Sequence, residues 1–333
     1  MRLYDIAVVG ASGLVGRKIL ELLQERNFPA GKVIAIASDN SHGKEITVNK
    51  VTHRLNKYSP ELTKNLEFVF FSAGGKVSLE YAPLFAREGA LVIDNSSAFR
   101  MQEDVPLVVP EANRQDIFKH KGIIANPNCS TIQLVVALKP LDEAFKIKRV
   151  VVSTYQSVSG IGNKGVTQLH NEIHNEKEPP NPVIFPYRIA YNAIPHIDVF
   201  MEDGYTKEEY KMIHETRKIM HRHDLHITTT CVRVPTIGGH SESVNIEFEK
   251  HFKLDEVRDI LSKAKSVKLV DDIKKLQYPM PADSCERDEV FVGRIREDES
   301  VKNGLNMWIV SDNVRKGAAT NAVQIAEEYL KGK

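Results

Sequence analysis

Short apolar runs alternate with amphipathic segments along the first 140 residues of the chain. The runs typical of buried strands are at 3–9, 33–37, 68–71, 91–94, 107–109 and 122–125. Apolar residues recur at helical spacing in 17–25, 77–88, 113–120 and 132–138. Because strands and helices alternate in this order, the pattern predicts a parallel, doubly wound sheet.

The pattern changes beyond residue 128. Further strand-like runs occur at 149–155, 228–235, 243–248 and 306–310. They predict a second, mostly antiparallel sheet, accompanied by a helix at 206–221. A last amphipathic helix, through Leu330, is expected to return to the first sheet. We therefore predict an α/β fold with two domains, a doubly wound one made of 1–127 and 313–333 and an α+β one made of 128–312.

The composition of the 333 residues is that of an ordinary globular protein, with 42% hydrophobic and 27% charged residues. The net charge of +1 provides no basic field for binding nucleic acid. The three cysteines lack CxxC spacing, so neither a disulfide framework nor a metal site is expected. We find no leader and no run approaching eighteen apolar residues, and we expect a cytoplasmic protein with no membrane partner.

Three glycines with GxxGxxG spacing, Gly10, Gly13 and Gly16, follow the first strand and precede a helix. In that context they permit a tight turn, close approach of the backbone to a pyrophosphate, and close packing of helix on strand. A purely structural glycine turn is the alternative. We interpret the first domain as a dinucleotide-binding Rossmann domain. The cofactor contacts predicted at this turn are Gly10, Ser12, Gly13, Leu14 and Val15.

Small polar residues follow the next strands at the edge where a dinucleotide would bind. After the second strand, Ser38 and Ser41 would donate to a 2′-phosphate, whereas Asp39 would repel it or bond a ribose hydroxyl. The choice between NADP and NAD is therefore open at this position. Later strand ends predict further cofactor contacts, although ordinary turns have the same composition. These contacts are Ser72, Ala73, Gly74 and Asn95.

Cys129 lies between an apolar strand and a predicted helix. The N–H groups at a helix N-terminus favour thiolate over thiol, which would make Cys129 a nucleophile, although most free cysteines are small buried hydrophobes. His240, in a glycine-rich turn, would shuttle protons because its ordinary pKa is close to working pH, although an isolated histidine is more often structural. Gln156 would hydrogen-bond near the thiol. Asn128 would donate to an oxyanion.

These segments resemble the aspartate-semialdehyde dehydrogenase family nearly from end to end. The matching segments are 10–16, 94–100, 126–131, 155–160, 192–195, 215–218, 233–235, 239–242 and 316–321. The resemblance implies reversible conversion of L-4-aspartyl phosphate and NADPH into L-aspartate 4-semialdehyde, phosphate and NADP, a step toward lysine, threonine and methionine. It also implies that 128–312 is a catalytic and dimerisation domain in a homodimer or homotetramer.

The resemblance implies specific roles for the site residues. Cys129 would carry an acyl thioester and His240 would be the general acid and base. The implied substrate contacts are Arg100 and Lys218 for the phosphate, Arg233 for the α-carboxylate and Glu215 for the α-ammonium. From the residues alone, Arg100 and Arg233 would be solvated surface charges and Glu215 with Lys218 a surface ion pair. Further implied cofactor contacts are Ser159, Gly160 and Asn321.

Two departures from the family pattern concern the cofactor. Relatives often carry arginine where this chain has Asn40, so weaker binding of a 2′-phosphate is expected. NADP is still the expected cofactor, with NAD as the alternative. The loop 161–165 also differs from the small residues common in the family. Three other functions stay open: an N-acetyl-glutamyl-phosphate reductase, a glyceraldehyde-phosphate-type dehydrogenase, and a catalytically silent nucleotide-binding homologue.

Overall fold

The computed structural model describes residues 2–174 and 183–332. Within them the strands are β1 (Tyr4–Val9), β2 (Ala30–Ile36), β3 (Glu45–Val48), β4 (Val51–Arg54), β5 (Phe68–Phe71), β6 (Leu91–Asp94), β7 (Ile123–Ala125), β8 (Ile147–Gln156), β9 (His226–Arg233), β10 (His240–Phe248), β11 (Val267–Leu269), β12 (Val290–Asp298) and β13 (Gly304–Ser311). The α-helices are α1 (Leu14–Glu25), α2 (Gly75–Arg87), α3 (Pro110–Asn113), α4 (Cys129–Phe145), α5 (Asn163–His174), α6 (Lys207–Met220), α7 (Leu254–Lys263), α8 (Pro281–Ser284) and α9 (Asn321–Lys331). The described chain forms two compact units, 2–128 with 318–332 and 129–317.

The first unit is built on a parallel sheet of five strands in the order β2-β1-β5-β6-β7. Strands of such a sheet are apolar throughout because both faces are covered, and all four residues of β5 are buried. On α1, Ile19, Leu20 and Leu23 lie at helical spacing and join the same buried cluster as Ala322 of α9. The predicted parallel sheet is confirmed.

The second unit holds a mixed sheet of six strands in the order β11-β12-β13-β10-β8-β9. Three of its five strand pairings are antiparallel, so the predicted mostly antiparallel sheet is confirmed. Helix α4 packs against this sheet and buries the nine consecutive residues 130–138. A helix buried on all sides belongs to the core, which explains why its sequence is apolar with few charges.

The predicted strand 107–109 is wrong. Leu107 makes one isolated bridge to Ala125, and the side chain of Asn113 then takes the place of a strand partner. Its Oδ1 accepts the N–H of Val109 (2.9 Å) and its Nδ2 donates to the carbonyl of Leu107 (2.9 Å). The backbone of 106–108 keeps two hydrogen bonds to Ala125, from the N–H of Val108 to the Ala125 carbonyl (3.1 Å) and from the N–H of Ala125 to the carbonyl of Pro106 (2.9 Å). Because Asn113 occupies the Val109 N–H and the Leu107 carbonyl, the pairing does not extend into a strand.

Several elements differ from the predicted pattern. The predicted helix 113–120 is a 3₁₀ segment at Arg114–Lys119. The hairpin β3–β4, the strands β11 and β12, and the helices α5 and α7 were not predicted. Their apolar patterns are short or interrupted; β12, for example, changes from buried to largely exposed along its length.

None of the helices within 2–174 and 183–332 is long and apolar enough to cross a membrane. The same residues contain no group of three or more His, Cys, Asp or Glu side chains arranged to hold a metal ion.

Candidate active site

The ends of three neighbouring strands in the second unit carry three of the predicted site residues. The register pairs Ser241 of β10 with Tyr155 of β8, and one further step places His240 opposite Gln156. Gln156 in turn pairs with Arg233 of β9. Residues opposite each other on neighbouring strands project to the same face of a sheet. His240, Gln156 and Arg233 therefore form one row, here called the strand-end row, and each is 5% exposed or less.

Cys129 is the first residue of the 17-residue helix α4 and is half-buried, directly after the buried Asn128. The unpaired N–H groups of a helix N-terminus stabilise a thiolate at this position. Gly317 lies against it, since a Cβ there would be 2.9 Å from the Cβ of Cys129. Burial lowers the pKa of Arg233, and the negative charges of Glu208 and the Cys129 thiolate oppose that effect. The thiol is thus accessible and near a cation, as a nucleophilic cysteine requires.

His240 is completely buried at the start of β10. The backbone N–H of Ser157 donates to its Nδ1 (3.1 Å), so the neutral ring carries its proton on Nε2. That Nε2 has no hydrogen-bond partner among the described residues. Burial, and then the positive charge of Arg233, lower the pKa of His240 to about 3. His240 is therefore neutral near pH 7, and its pKa lies well below working pH rather than close to it as expected from the ordinary value.

Arg233 is 5% exposed, so its interpretation as a solvated surface charge is wrong. Its Nη1 donates to the carbonyl of Ser157 (2.6 Å), and the ring of Phe185 lies 5.9 Å from its Cζ. Gly160 covers the same region: a Cβ there would be 2.9 Å from Nη1 of Arg233 and 3.1 Å from Nε2 of His240. The Ser157 carbonyl and the Phe185 ring therefore help to fix the guanidinium in one orientation, and glycine at position 160 leaves room for the side chains of Arg233 and His240.

The side-chain amide of Gln156 is held at both ends. Thr154 Oγ1 donates to its Oε1 (3.0 Å), and its Nε2 donates to Oε1 of Glu208 (3.1 Å). Both partners are buried. This leaves the second N–H of the amide for another acceptor.

Glu215 and Lys218 lie three residues apart on one face of α6. Glu215 is 1% exposed and Lys218 is half-buried, so a fully solvated ion pair is excluded. Helix α6 packs against α4 and β9, which carry Cys129 and Arg233.

In the first unit, the predicted cofactor residues lie at the carboxyl ends of the strands. Gly10 has φ 86° where the chain leaves β1, and a Cβ there would be 2.4 Å from the carbonyl oxygen of Ser72. The turn after β1 therefore touches the residue that follows β5. The turn and the first helical residues are Gly10, Ser12, Gly13, Leu14 and Val15; the residues after β5 are Ser72, Ala73 and Gly74.

Three asparagines are linked at the same edge of the sheet. Nδ2 of Asn126 donates to Oδ1 of Asn95 (2.8 Å), and Nδ2 of Asn321 donates to Oδ1 of Asn126 (2.7 Å). Asn321 is completely buried, so it orients its neighbours rather than facing an open groove. Arg100, 7% exposed, donates to the carbonyls of Asn126 (2.9 Å) and Asn95 (2.8 Å). Its interpretation as a surface charge is also wrong.

The remaining predicted cofactor residues fall into two places. Ser38 is exposed after β2, and Ser41 closes a short 3₁₀ turn, Asp39–Ser41. Ser159 and Gly160 belong to the second unit, where the Ser159 hydroxyl bonds Oδ1 of Asn313 (3.1 Å).

Glu208, Phe185 and Glu242 were missed by the sequence analysis. Only the helical position of Glu208, seven residues before Glu215 on the same face of α6, could have indicated it. Glu242 is completely buried two residues after His240, and its carboxylate oxygens make no well-formed hydrogen bond among the described residues. Burial raises the pKa of Glu242 well above its usual range, while the side chain of Gln133 opposes this effect.

Replacing Glu242 by glutamine is expected to stabilise the protein increasingly as pH rises. The folded pKa of Glu242 lies above the unfolded value. Its contribution to the free energy of unfolding is therefore fully present below about pH 4.5 and is lost as pH rises from there through the folded pKa. Glutamine removes this titration. Urea unfolding at pH 5 and pH 8 should show a higher midpoint for the variant, with the larger difference at pH 8. The exposed Glu299→Gln variant is the control. If the difference in urea midpoint between Glu242→Gln and the parent shrank with rising pH, Glu242 would not be neutral in the folded protein.

Both parts of the chain match models of one family of enzymes. Residues 5–120 match the semialdehyde dehydrogenase, NAD binding domain, and residues 138–316 match the semialdehyde dehydrogenase, dimerisation domain. The aspartate-semialdehyde dehydrogenase of Aquifex aeolicus (strain VF5) is 54% identical over 334 residues, with 98% of each chain covered. The chain belongs to the aspartate-semialdehyde dehydrogenase family.

Solved aspartate-semialdehyde dehydrogenases have the same fold. Aspartate semialdehyde dehydrogenase II from Vibrio cholerae, complexed with ASA, is 43% identical with a TM-score of 0.95 over 99% of each chain. The aspartate semialdehyde dehydrogenase with NADP from Candida albicans is 25% identical with a TM-score of 0.76, again over 99% of each chain. The resemblance found in the sequence is confirmed, and the reductase and silent-homologue alternatives are not favoured. Membership in the aspartate-semialdehyde dehydrogenases indicates an oxidoreductase with a nicotinamide dinucleotide cofactor and a dimerisation domain.

Proposed function

We propose that this enzyme reversibly converts L-4-aspartyl phosphate and NADPH into L-aspartate 4-semialdehyde, phosphate and NADP. The observation that carries the proposal is the strand-end row of His240, Gln156 and Arg233 in the same unit as Cys129. A cysteine at a helix N-terminus, a buried arginine and a buried histidine are the groups that thioester chemistry on an anionic substrate requires. The free thiols suit a reducing compartment, and we place the reaction in the cytoplasm.

In the proposed reaction the thiolate of Cys129 attacks the acyl carbon and forms a C–S bond. Phosphate departs with the electron pair of the broken C–O bond and takes up the proton consumed in this direction, which His240 relays as general acid. When bound, the nicotinamide supplies the hydride that reduces the thioester. The resulting oxyanion accepts hydrogen bonds from Asn128 and from Nε2–H of His240. Its collapse releases the semialdehyde and regenerates the thiolate.

The charges of the proposed substrate match the site residues one by one. Arg233 would hold the α-carboxylate, because a planar guanidinium can donate two parallel hydrogen bonds. Glu215, buried on α6, would pair with the α-ammonium. Lys218 and Arg100 would bind the phosphate.

We assign NADP as the preferred cofactor, with a smaller preference over NAD than an arginine at position 40 would provide. The hydroxyls of Ser38 and Ser41 would donate to the 2′-phosphate, while the exposed Asp39 disfavours it electrostatically. Ser72, Asn95 and the turn after β1 would surround the dinucleotide backbone. For the assembly we propose a homodimer or a homotetramer formed through the second unit.

The proposed function is tested by following reduction of the nicotinamide in a single assay. Purified protein with L-aspartate 4-semialdehyde, inorganic phosphate and NADP should produce NADPH, and omission of phosphate should stop it. NAD in place of NADP should react more slowly. Production of NADPH from N-acetyl-glutamate semialdehyde, with none from aspartate semialdehyde, would contradict the proposal.

Replacing Arg233 by lysine should raise KM for the semialdehyde by about 10- to 100-fold, because an ammonium group cannot reproduce two parallel bonds to the α-carboxylate. KM for inorganic phosphate should stay unchanged, since Arg233 is assigned to the carboxylate. Steady-state kinetics with each substrate varied in turn measures both values. The exposed Arg296→Lys variant is the matched control. An unchanged KM for the semialdehyde would remove Arg233 from the substrate site.

A further inference from the structure

Glu208 is a buried carboxylate at the first turn of α6, and it touches the strand-end row. It is 5% exposed. Its Oε1 accepts from Nε2 of Gln156 (3.1 Å), and its Oε2 accepts from Nζ of Lys211 (3.0 Å), which also bonds Oδ2 of Asp198 (2.7 Å). A buried carboxylate with such partners is ionised and accepts hydrogen bonds without donating any.

The charge of Glu208 determines which way the Gln156 amide points. Because an ionised carboxylate only accepts hydrogen bonds, the nitrogen of the Gln156 amide must face Glu208. Its oxygen then faces Thr154, whose hydroxyl donates to it (3.0 Å). With a neutral amide at position 208, either orientation of Gln156 would satisfy both groups. Glu208 therefore decides whether Gln156 offers the proposed site an N–H or a carbonyl.

The same charge also acts on the other two members of the row. The negative charge of Glu208 opposes the lowering of the pKa of Arg233 by burial, and it opposes the lowering of the pKa of His240 by burial and by Arg233. The negative charge of Glu208 thus partly balances the positive charge of Arg233 beside His240.

We propose that Glu208 is a positioning residue for the proposed reaction, which fixes the orientation of the Gln156 amide and supplies the negative charge that balances Arg233 beside His240. The inference rests on the proposed function for its kinetic part only. It adds to the row a residue whose two carboxylate oxygens bond side chains of the protein, Gln156 and Lys211.

The charged or titratable groups that act on Glu208 or respond to it come from several elements of the described chain. They are Lys211 on α6, Asp198 before it, Cys231 and Arg233 on β9, and His240 on β10. Removing the Glu208 charge leaves the Arg233 charge less balanced. A thiolate near Arg233 should then form at lower pH.

The test compares Glu208→Gln with Glu209→Gln, the same substitution at the next, equally buried position. Glu209 instead accepts from the backbone N–H groups of Thr206 (2.7 Å) and Cys231 (2.9 Å), so its loss should lower stability alone. All variants carry Cys285→Ala, and because Cys231 is completely buried, iodoacetamide then reports on Cys129.

Glu208→Gln should shift the pH midpoint of Cys129 alkylation down by about 0.5–1 unit and lower kcat by about 10- to 100-fold, with KM changed little. Glu209→Gln should lower the urea midpoint without shifting the alkylation midpoint. Thr154→Val, which loses the hydroxyl but keeps the charge that orients Gln156, should leave the alkylation midpoint unshifted and lower kcat much less than Glu208→Gln.

An alkylation midpoint in folded Glu208→Gln equal to that of the parent would overturn the inference, as would an unchanged kcat. Alkylation needs no substrate. A parent protein inactive with aspartate semialdehyde would therefore contradict the proposed function, while the alkylation comparison would still decide the charge role of Glu208.

Discussion

Cys129→Ala is expected to lower kcat by about 10⁴-fold or more, because no thioester can form without the sulfur and loss of a covalent nucleophile has effects of this size. NADPH binding should be retained, since the glycine turn after β1 lies in the first unit and Cys129 begins the second. Turnover of aspartate semialdehyde and titration of NADPH binding by fluorescence measure the two properties separately.

Cys285→Ala is the matched control for the nucleophile. Cys285 is half-buried like Cys129, but burial raises the pKa of its thiol, with Asp312 and Glu286 adding to the effect. This variant should keep full turnover. Mass spectrometry of the parent protein with aspartyl phosphate and no reductant should show an acyl adduct on Cys129. Near-normal turnover by Cys129→Ala would mean that another group is the nucleophile.

His240→Asn is expected to lower kcat by about 10²- to 10⁴-fold through loss of proton transfer and of the Nε2 donor. Burial and the Arg233 charge lower the pKa of His240 to about 3 without substrate. The carboxylate and phosphate of the substrate bring negative charge to Arg233, which should raise that pKa in the complex. The pH profile of kcat should therefore show a group with a higher pKa than the profile of kcat/KM.

His251→Asn, at an exposed position, is the control and should behave like the parent protein. Urea unfolding separates a catalytic effect from a loss of stability. The loss of stability should be small, because the asparagine side chain can still accept the N–H of Ser157. Equal kcat values for His240→Asn and the parent would exclude His240 from proton transfer.

The local features of the site could be predicted from the sequence because they depend on neighbouring residues. The glycine spacing of Gly10, Gly13 and Gly16 predicts the turn before α1, and the apolar run before Cys129 predicts a strand followed by a helix. The structure has both elements. Strand 107–109 could not be excluded, because its replacement depends on how the Asn113 side chain folds back.

Other features could not be predicted because they depend on contacts between distant segments. The tautomer of His240 is determined by the N–H of Ser157, 83 residues away in the chain. Glu208 is seen in sequence only as an acidic residue in the first turn of a helix, which is typical of solvent-exposed positions. Its burial depends on the packing of α6 against β9, and its role depends on Gln156, 52 residues away.

The burial of 130–138 has a consequence for the rate of acylation. A side chain at the end of an anchored helix samples few positions before reaction, so little freedom of motion is lost when its sulfur bonds carbon. Adjustment toward the reactive geometry must then come from the substrate and from less tightly packed segments. Substitutions that loosen the middle of α4, far from any reacting atom, should consequently slow bond formation while leaving every charged group in place.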